Sequence, residues 1–176
     1  NIFSFNRIGT DETVEGGTSI TYGTSFNKVN KNTNKDYLKL DVSSVLRLKE
    51  NLDLPASSTL GKKSSDIFGN MEMILNNNLN FRYSFAVDNN FDKSNYDSIA
   101  STLSVNKFVT TFEYSDEKNN LINESFISNS TSLELNKNNS INLKVRRNNE
   151  ISATEYYNLI YNYKNDCLVA SVQFNK

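Results

Sequence analysis

Apolar and polar side chains alternate along the segment from Leu79 to Asp88. One set of alternate positions holds Leu79, Phe81, Tyr83, Phe85 and Val87, and the other holds Asn80, Arg82, Ser84, Ala86 and Asp88. A side-chain period of two is typical of an extended strand, so this segment is predicted to form a strand with one apolar and one mostly polar face. A strand of about ten residues, tilted by about 45°, also has the length that crosses the hydrocarbon layer of a bilayer.

The same alternation recurs along most of the chain and predicts a protein built from strands. Polar segments rich in Asn and Ser separate about ten such stretches. The predicted strands cover residues 20–26, 38–48, 67–75, 79–88, 99–105, 108–114, 127–135, 141–145, 157–163 and 168–174.

Two of these stretches also permit a helix, because four residues of each fall at i, i+3, i+4 and i+7. They are the stretch of Val42, Val45, Leu46 and Lys49 and the stretch of Tyr156, Leu159, Ile160 and Tyr163. We prefer strand for both, since Tyr and β-branched residues favour strands and the two-residue alternation extends beyond each helical window.

The connections between the predicted strands alternate in length. Short turns fall at Asn77, Asn106, Asn138 and Asn165, whereas longer polar loops surround Pro55, Phe91 and Glu117. Outer-membrane barrels keep short turns on the periplasmic side and longer loops outside the cell. We therefore predict an all-β fold, an antiparallel transmembrane β-barrel of which this chain supplies about ten strands. A soluble antiparallel sandwich remains the alternative, because strand number alone does not exclude it.

The composition limits the classes of protein that this chain can belong to. Hydrophobic residues make up 37% of 176 residues, Trp is absent, Pro occurs once, and the mean hydropathy is -0.56. Because no run of 18 apolar residues occurs, membrane-spanning helices are excluded, whereas a barrel with a wet interior is compatible with such a composition. A net charge of -1 gives no electrostatic reason to expect binding to nucleic acid.

The ends of the chain suggest that it is one region of a longer protein. It opens without an initiator Met or an apolar signal segment, and the strand pattern still continues at Phe174. We expect residues 1–176 to form a single region of a barrel domain, with the remaining strands and any amino-terminal domain outside this sequence.

The residue inventory gives catalysis almost no support. The chain has no His and a single Cys, so catalytic triads, zinc sites and histidine general bases are not expected. Gly16 and Gly17 are not followed by the Lys-Ser/Thr of a phosphate-binding loop, and a turn or bulge is the simpler interpretation. We therefore expect no enzymatic activity, no metal and no cofactor.

The polar strand faces are the main candidate site. In a barrel they would line the aqueous interior, because an Arg or Lys on the lipid side near the midplane costs about 2–4 kcal/mol. The residues predicted to face the lumen are Lys39, Asp41, Arg47, Asn80, Arg82, Ser84 and Asp88. The alternative is that each is a wet interior residue with no role of its own. Tyr22, Tyr83, Tyr114 and Tyr163 fit an interfacial aromatic girdle, although ordinary strand composition explains them equally well.

Three stretches of the sequence carry motifs that also occur, in the same order, in a known family of proteins. The first is NRIGTDETVEGGTSITYG, with Asn6, Arg7, Asp11, Glu15, Gly16 and Gly17. The second is KKSSDIFGNM, Lys62 to Met71, and the third is the Tyr-rich strand followed by NDCLV, Asn165 to Val169. In these stretches the chain resembles the outer-membrane lipopolysaccharide-assembly protein family, LptD, in which the first motif introduces a barrel strand. Because the three stretches occur in the family's order, the resemblance covers nearly the whole chain.

The resemblance implies a location in the bacterial outer membrane and a role in placing lipopolysaccharide in its outer leaflet. It implies as partners lipopolysaccharide itself, outer-membrane lipid, a plug lipoprotein inside the barrel, the periplasmic bridge protein and the barrel-assembly machinery. It also implies that Cys167 forms a disulfide with a cysteine of an amino-terminal periplasmic domain that lies outside this sequence. The alternatives are an ordinary porin-type barrel and a secreted β-rich adhesin or binding module.

Overall fold

The computed structural model describes residues 15–31, 35–55, 58–118 and 123–176, which form ten strands of one antiparallel sheet. The strands are β1 (Ser19–Asn30), β2 (Lys35–Arg47), β3 (Ile67–Ile74), β4 (Leu79–Val87), β5 (Ser94–Val105), β6 (Phe108–Lys118), β7 (Asn123–Asn136), β8 (Asn139–Asn148), β9 (Ala153–Lys164) and β10 (Val169–Asn175). They follow one another in sequence order, so β1 and β10 are the terminal strands of the sheet. A short 3-10 helix, Thr59–Gly61, lies between β2 and β3.

The prediction of an all-β antiparallel fold is confirmed, and all ten predicted stretches are strands. Of the two segments that also fitted a helix, the first lies in β2 except for Lys49, which follows the end of the strand at Arg47, and the second lies within β9. The strand predicted over residues 79–88 ends one residue earlier, at Val87. Asp88 lies outside it, because its carboxylate accepts hydrogen bonds from the backbone N–H groups of Asp92 and Lys93, at 2.8 and 3.2 Å, and so closes the turn to β5.

The chain divides into two compact units, and the first consists of Asn1–Met71, Ser84–Asp97 and Glu117–Asn123. In this unit β1 pairs with β2 from Ser19 opposite Arg47 to Asn30 opposite Lys35. The segment after β2 folds back along that strand: the Arg47 N–H donates to the Lys63 carbonyl at 2.8 Å, and the Ser65 N–H donates to the Val45 carbonyl at 2.9 Å. The long polar loop around Pro55 is therefore held against the end of β2.

The second unit consists of Glu72–Tyr83, Ser98–Asp116 and Glu124–Lys176. Several of its short turns contain Asn in the same role. The side-chain oxygens of Asn76, Asn136, Asn148 and Asn165 each accept a hydrogen bond from the backbone N–H two residues later. Positive φ, which Asn tolerates well, occurs at Asn106, where it is 52°. Hydrogen bonds accepted by the side chain therefore explain why Asn occupies four of these turn positions.

The burial pattern differs from that of a two-layer sandwich, which would enclose its apolar rows between sheets. Among the described residues the buried hydrophobic side chains are those of Val45, Leu54, Ala86 and Ala100. Large apolar side chains on the strands are exposed instead, with Phe26 at 54% and Val172 at 71%. No helix in the described part of the chain is long and apolar enough to cross a membrane.

Candidate functional site: a polar face and an exposed apolar face

In the first unit, the two sides of β2 differ in burial near its end. Ser43, Val45 and Arg47 point to one side and are buried; on the other side Ser44 is also buried, whereas Leu46 is exposed beside its β1 neighbour Ile20, which is also exposed. Alternation places Lys39 and Asp41 on the same side as Arg47. The side predicted to be polar is thus the more enclosed one at this end of β2.

Arg47 makes several polar contacts on the buried side of β2. Its guanidinium forms an ion pair with the Glu15 carboxylate, and the two side chains are only 1% and 3% exposed. The Arg47 Nε also donates to the Leu60 carbonyl at 2.6 Å. The Gly16 carbonyl accepts a hydrogen bond from the Asn51 side-chain amide at 3.0 Å. Arg47 therefore joins the segment before β1 to the loop after β2.

A second group of polar contacts fixes the end of the same loop. The Ser65 hydroxyl accepts from the Val45 N–H at 2.9 Å, and the Ser65 carbonyl accepts from the Asn89 side-chain amide at 2.6 Å. The Asp66 Oδ2 accepts from the Asn95 side-chain amide at 2.9 Å. Because Ser65 and Asp66 are buried, these bonds satisfy groups that water does not reach.

The other residues of β2 predicted to face the lumen lie on its polar side, away from this cluster. Lys39 forms an ion pair with Asp36, with the Lys39 Nζ 2.9 Å from the Asp36 Oδ2. Asp41 accepts a hydrogen bond from the Ser25 hydroxyl of the neighbouring strand. Both contacts are solvent-exposed, so the structure brings neither residue into the Arg47 cluster.

The predicted lumen residues of β4 are Asn80, Arg82 and Ser84. Asn80 and Arg82 are exposed in the second unit. Ser84 belongs to the first unit and donates from its hydroxyl to the Asn70 Oδ1 at 2.9 Å. As stated above, Asp88 lies beyond the strand and serves the turn.

In the second unit the polar face carries a cluster around Arg146. The Arg146 Nε lies 2.7 Å from the Glu155 Oε2, and its Nη2 lies 3.7 Å from the Glu124 Oε2. The guanidinium carbon is 3.9 Å from the centroid of the Phe126 ring. The Glu155 Oε1 also accepts from the Asn148 side-chain amide at 3.0 Å. Arg146 is thus held by two carboxylates and an aromatic ring.

The opposite face of β7 to β10 carries rows of apolar side chains across neighbouring strands. The registers place Leu133, Ile141, Tyr161 and Val172 in one row and Thr131, Leu143, Leu159 and Phe174 in the next. Leu159, Tyr161, Val172 and Phe174 are all exposed. The apolar face of this unit therefore presents hydrophobic surface outward.

Tyrosines lie towards both ends of β9 on this face, and their hydroxyls meet polar groups. The Tyr157 hydroxyl lies 3.4 Å from the Thr154 Oγ1 at one end. Towards the other end, the Tyr163 hydroxyl accepts from the Asn165 side-chain amide at 3.1 Å, and the Tyr161 hydroxyl donates to Asn139. Among the tyrosines proposed for a girdle, Tyr22 and Tyr114 are exposed, whereas Tyr83 and Tyr163 are half-buried.

Three polar side chains interrupt the apolar face in the middle of β6 and β7. The hydroxyls of Thr110 and Thr131 are 2.8 Å apart, and the Asn129 amide donates to the Thr110 hydroxyl at 3.0 Å. The Thr131 hydroxyl in turn donates to the Asn129 Oδ1 at 2.9 Å. The three side chains therefore satisfy one another within an apolar surface.

The residues singled out by the family resemblance are only partly described. Asn6, Arg7 and Asp11 lie outside the described residues. Glu15 forms the buried ion pair with Arg47, and Gly17 has a positive φ of 86°, as a glycine turn requires. Cys167 is exposed and unpaired in the β9–β10 turn. In the described part of the chain, no group of three His, Cys, Asp or Glu side chains is arranged to hold a metal ion.

The sequence alone did not predict two features of the site. One is the ion pair between Glu15 and Arg47, and the other is that Arg146 and Arg147 point to opposite faces of the sheet. Alternation gives a signal for the second: neighbouring residues of a strand point to opposite faces. No such local signal exists for the first, because Glu15 and Arg47 are 32 residues apart and meet only where β1 pairs with β2, next to Ser19 opposite Arg47.

Comparison with known proteins adds no family to this description. No protein-family model matches the chain. No curated protein matches it significantly.

Proposed function

We propose that this chain is part of an outer-membrane β-barrel that delivers lipopolysaccharide to the outer leaflet, as the resemblance to the LptD family implies. The observation that carries the proposal is the inverted burial, with apolar strand residues exposed and small or charged residues such as Ser98, Ala100 and Arg47 buried. In water, each exposed apolar row would cost about 25 cal/mol per Å² relative to burial. In a bilayer the same rows would contact acyl chains, and the cost would disappear.

The proposed mechanism is passive transport along the polar face. Its hydroxyl, amide and charged groups would receive sugars and phosphates, while the acyl chains leave sideways through a parted seam between strands. The strand order supports such a seam, because β1 and β10 each have one edge without a partner in the sheet. Additional strands would complete the barrel in the membrane.

The partners belong to the same proposal. They are a plug lipoprotein in the lumen, the periplasmic bridge protein, and the machinery that inserts barrels into the outer membrane. A disulfide from Cys167 to a periplasmic domain is also proposed, and the exposure of Cys167 in a turn supports it, because an external cysteine can reach the thiol.

A porin-type barrel is the second candidate, and one observation favours it. In the loop between β2 and β3, the Leu60 carbonyl accepts a hydrogen bond from Arg47 on the polar side of β2. An inward-folded loop that narrows an aqueous channel would have this arrangement. Ion conductance in planar bilayers without binding of lipopolysaccharide would support this candidate over the first.

Site-specific photo-crosslinking in cells tests the transport function. A benzophenone amino acid replaces Arg82 on the polar face of β4, and in a matched variant it replaces Phe81 on the apolar face. We expect adducts with lipopolysaccharide at Arg82, because the sugars and phosphates would pass there, and adducts dominated by membrane phospholipid at Phe81. If Arg82 gives no lipopolysaccharide adduct while Phe81 still crosslinks to phospholipid, the chain lies in the membrane but does not transport lipopolysaccharide.

A further inference from the structure

The end of β8 places two adjacent arginines on opposite faces of the sheet. Arg146 points to the polar face, where it contacts Glu155 and the Phe126 ring. Arg147 pairs with Ile127, a residue of the apolar face whose side chain is 48% exposed. Arg147 is itself exposed, and its guanidinium forms no hydrogen bond or ion pair with other residues that the structure describes. The end of the apolar face therefore carries an unneutralised positive charge.

Polar groups surround this charge on the same face. Thr154 of β9 pairs with Arg147, and its hydroxyl lies 3.4 Å from the hydroxyl of Tyr157. Two residues before Arg147 on the same face of β8, Val145 lies between Asn129 and Tyr157 in the cross-strand register. The apolar rows lie beyond Val145, further from this end of the strand. A cation and two hydroxyls thus form a rim directly beside hydrophobic surface.

The geometry points to this rim, formed by Arg147, Thr154 and Tyr157, as a binding site for the anionic headgroup of a membrane lipid. Arginine offers several N–H donors to phosphate oxygens, and the Thr154 hydroxyl, which accepts from the Tyr157 hydroxyl, adds one further donor. The adjacent apolar rows would contact the acyl chains of the same lipid, which a free phosphate ion lacks. This inference rests on the proposed function, because it requires that the apolar face contacts a bilayer.

The test uses the absence of Trp from the chain, so that one introduced Trp is the only indole reporter. Ile127→Trp places it beside Arg147, and Val145→Trp is a second reporter one row lower on the same face. The full chain is reconstituted in phosphatidylcholine vesicles containing brominated phosphatidylglycerol, or in vesicles with brominated phosphatidylcholine instead. The ratio of the quenching by the two lipids measures the local preference for an anionic headgroup.

We expect phosphatidylglycerol to be preferred by about fivefold, the effect of one basic residue near a lipid surface. Arg147→Gln should reduce the ratio to about one by the same argument. The matched control is Lys144→Gln, which removes the same charge from an exposed residue on the opposite face of β8. This control should retain the preference, and added inorganic phosphate should not abolish it.

Each other outcome overturns the inference in a different way. Equal quenching by both lipids, or a preference that persists in Arg147→Gln, would show lipid contact without a headgroup site, and the proposed barrel would stand. Loss of the preference on addition of inorganic phosphate would show a site for a free anion. If neither brominated lipid quenches either reporter, the apolar face does not contact the bilayer, and the proposed function fails together with the inference.

Discussion

The aromatic ring of Phe85 in β4 lies directly over Gly69 in β3, and a Cβ placed on Gly69 would clash with the ring carbons. Both residues occupy the apolar side of their strands, where the ring covers the position that lacks a side chain. We predict that Gly69→Ala destabilises the fold by about 1–3 kcal/mol, because the ring must leave its position. Urea titration of the full chain in detergent micelles, followed by circular dichroism, measures this change.

Two variants show whether the clash itself is responsible. Gly16→Ala adds the same methyl group where nothing lies within 4 Å, so it should leave the urea midpoint almost unchanged. Combining Gly69→Ala with Phe85→Leu should give less destabilisation than the sum of the two single changes, because a smaller side chain leaves room for the methyl group. Strict additivity would mean that the two positions do not interact.

The buried ion pair between Arg47 and Glu15 gives a second prediction. Arg47→Ala removes the guanidinium that pairs with the buried Glu15 carboxylate, and breaking such a pair costs about 3–5 kcal/mol. We expect the loop after β2 to detach, because Arg47 also bonds the Leu60 carbonyl. Cleavage by a lysine-specific protease at Lys49, Lys62 and Lys63, read by mass spectrometry, should become faster.

The control for this prediction is the exposed ion pair between Asp36 and Lys39 on the same strand. Asp36→Asn should leave cleavage of the loop unchanged, since exposed pairs contribute little. Equal cleavage rates in Arg47→Ala and the unmodified chain would refute the assignment of Arg47 as the residue that holds the loop.

The polar group of Thr110, Asn129 and Thr131 provides a third prediction. Thr131→Val removes the hydroxyl bonded to the Asn129 Oδ1 and should cost about 1–3 kcal/mol in urea unfolding. Replacing all three residues by Val, Leu and Val respectively should restore most of the stability, since no polar group would then be left unsatisfied within the apolar surface. A triple variant less stable than Thr131→Val would contradict this explanation.

The two adjacent arginines of β8 give a fourth prediction. Arg146→Met loses the Glu155 contact and the Phe126 stacking, and should lower the free energy of unfolding by about 1–2 kcal/mol. Arg147→Met loses no hydrogen bond or ion pair with a described residue and should change the free energy of unfolding by less than about 0.5 kcal/mol in detergent. Equal effects of the two substitutions would mean that the two side chains are not on opposite faces.

The sequence predicts the strands and their faces well, because a period of two is a local property. For example, it predicts an extended segment from Tyr156 to Tyr163, although residues of this segment also have the spacing of an amphipathic helix. It did not predict the polar group on the apolar face, since Thr110 and Thr131 are β-branched and fit a strand without showing that they bond each other. The Glu15–Arg47 pair and the folded-back loop also escaped, because nonlocal contacts leave no period in the sequence.

The central claim is that one face of the sheet contacts lipid and the other contacts water. Single cysteines at residues 80 to 85 of β4, in a Cys167→Ser background, can carry nitroxide spin labels in reconstituted vesicles. We predict that labels at Phe81, Tyr83 and Phe85 collide mainly with oxygen, which is enriched in acyl chains, and that labels at Asn80, Arg82 and Ser84 collide mainly with a water-soluble nickel complex. Equal accessibility to nickel at all six positions would contradict the account.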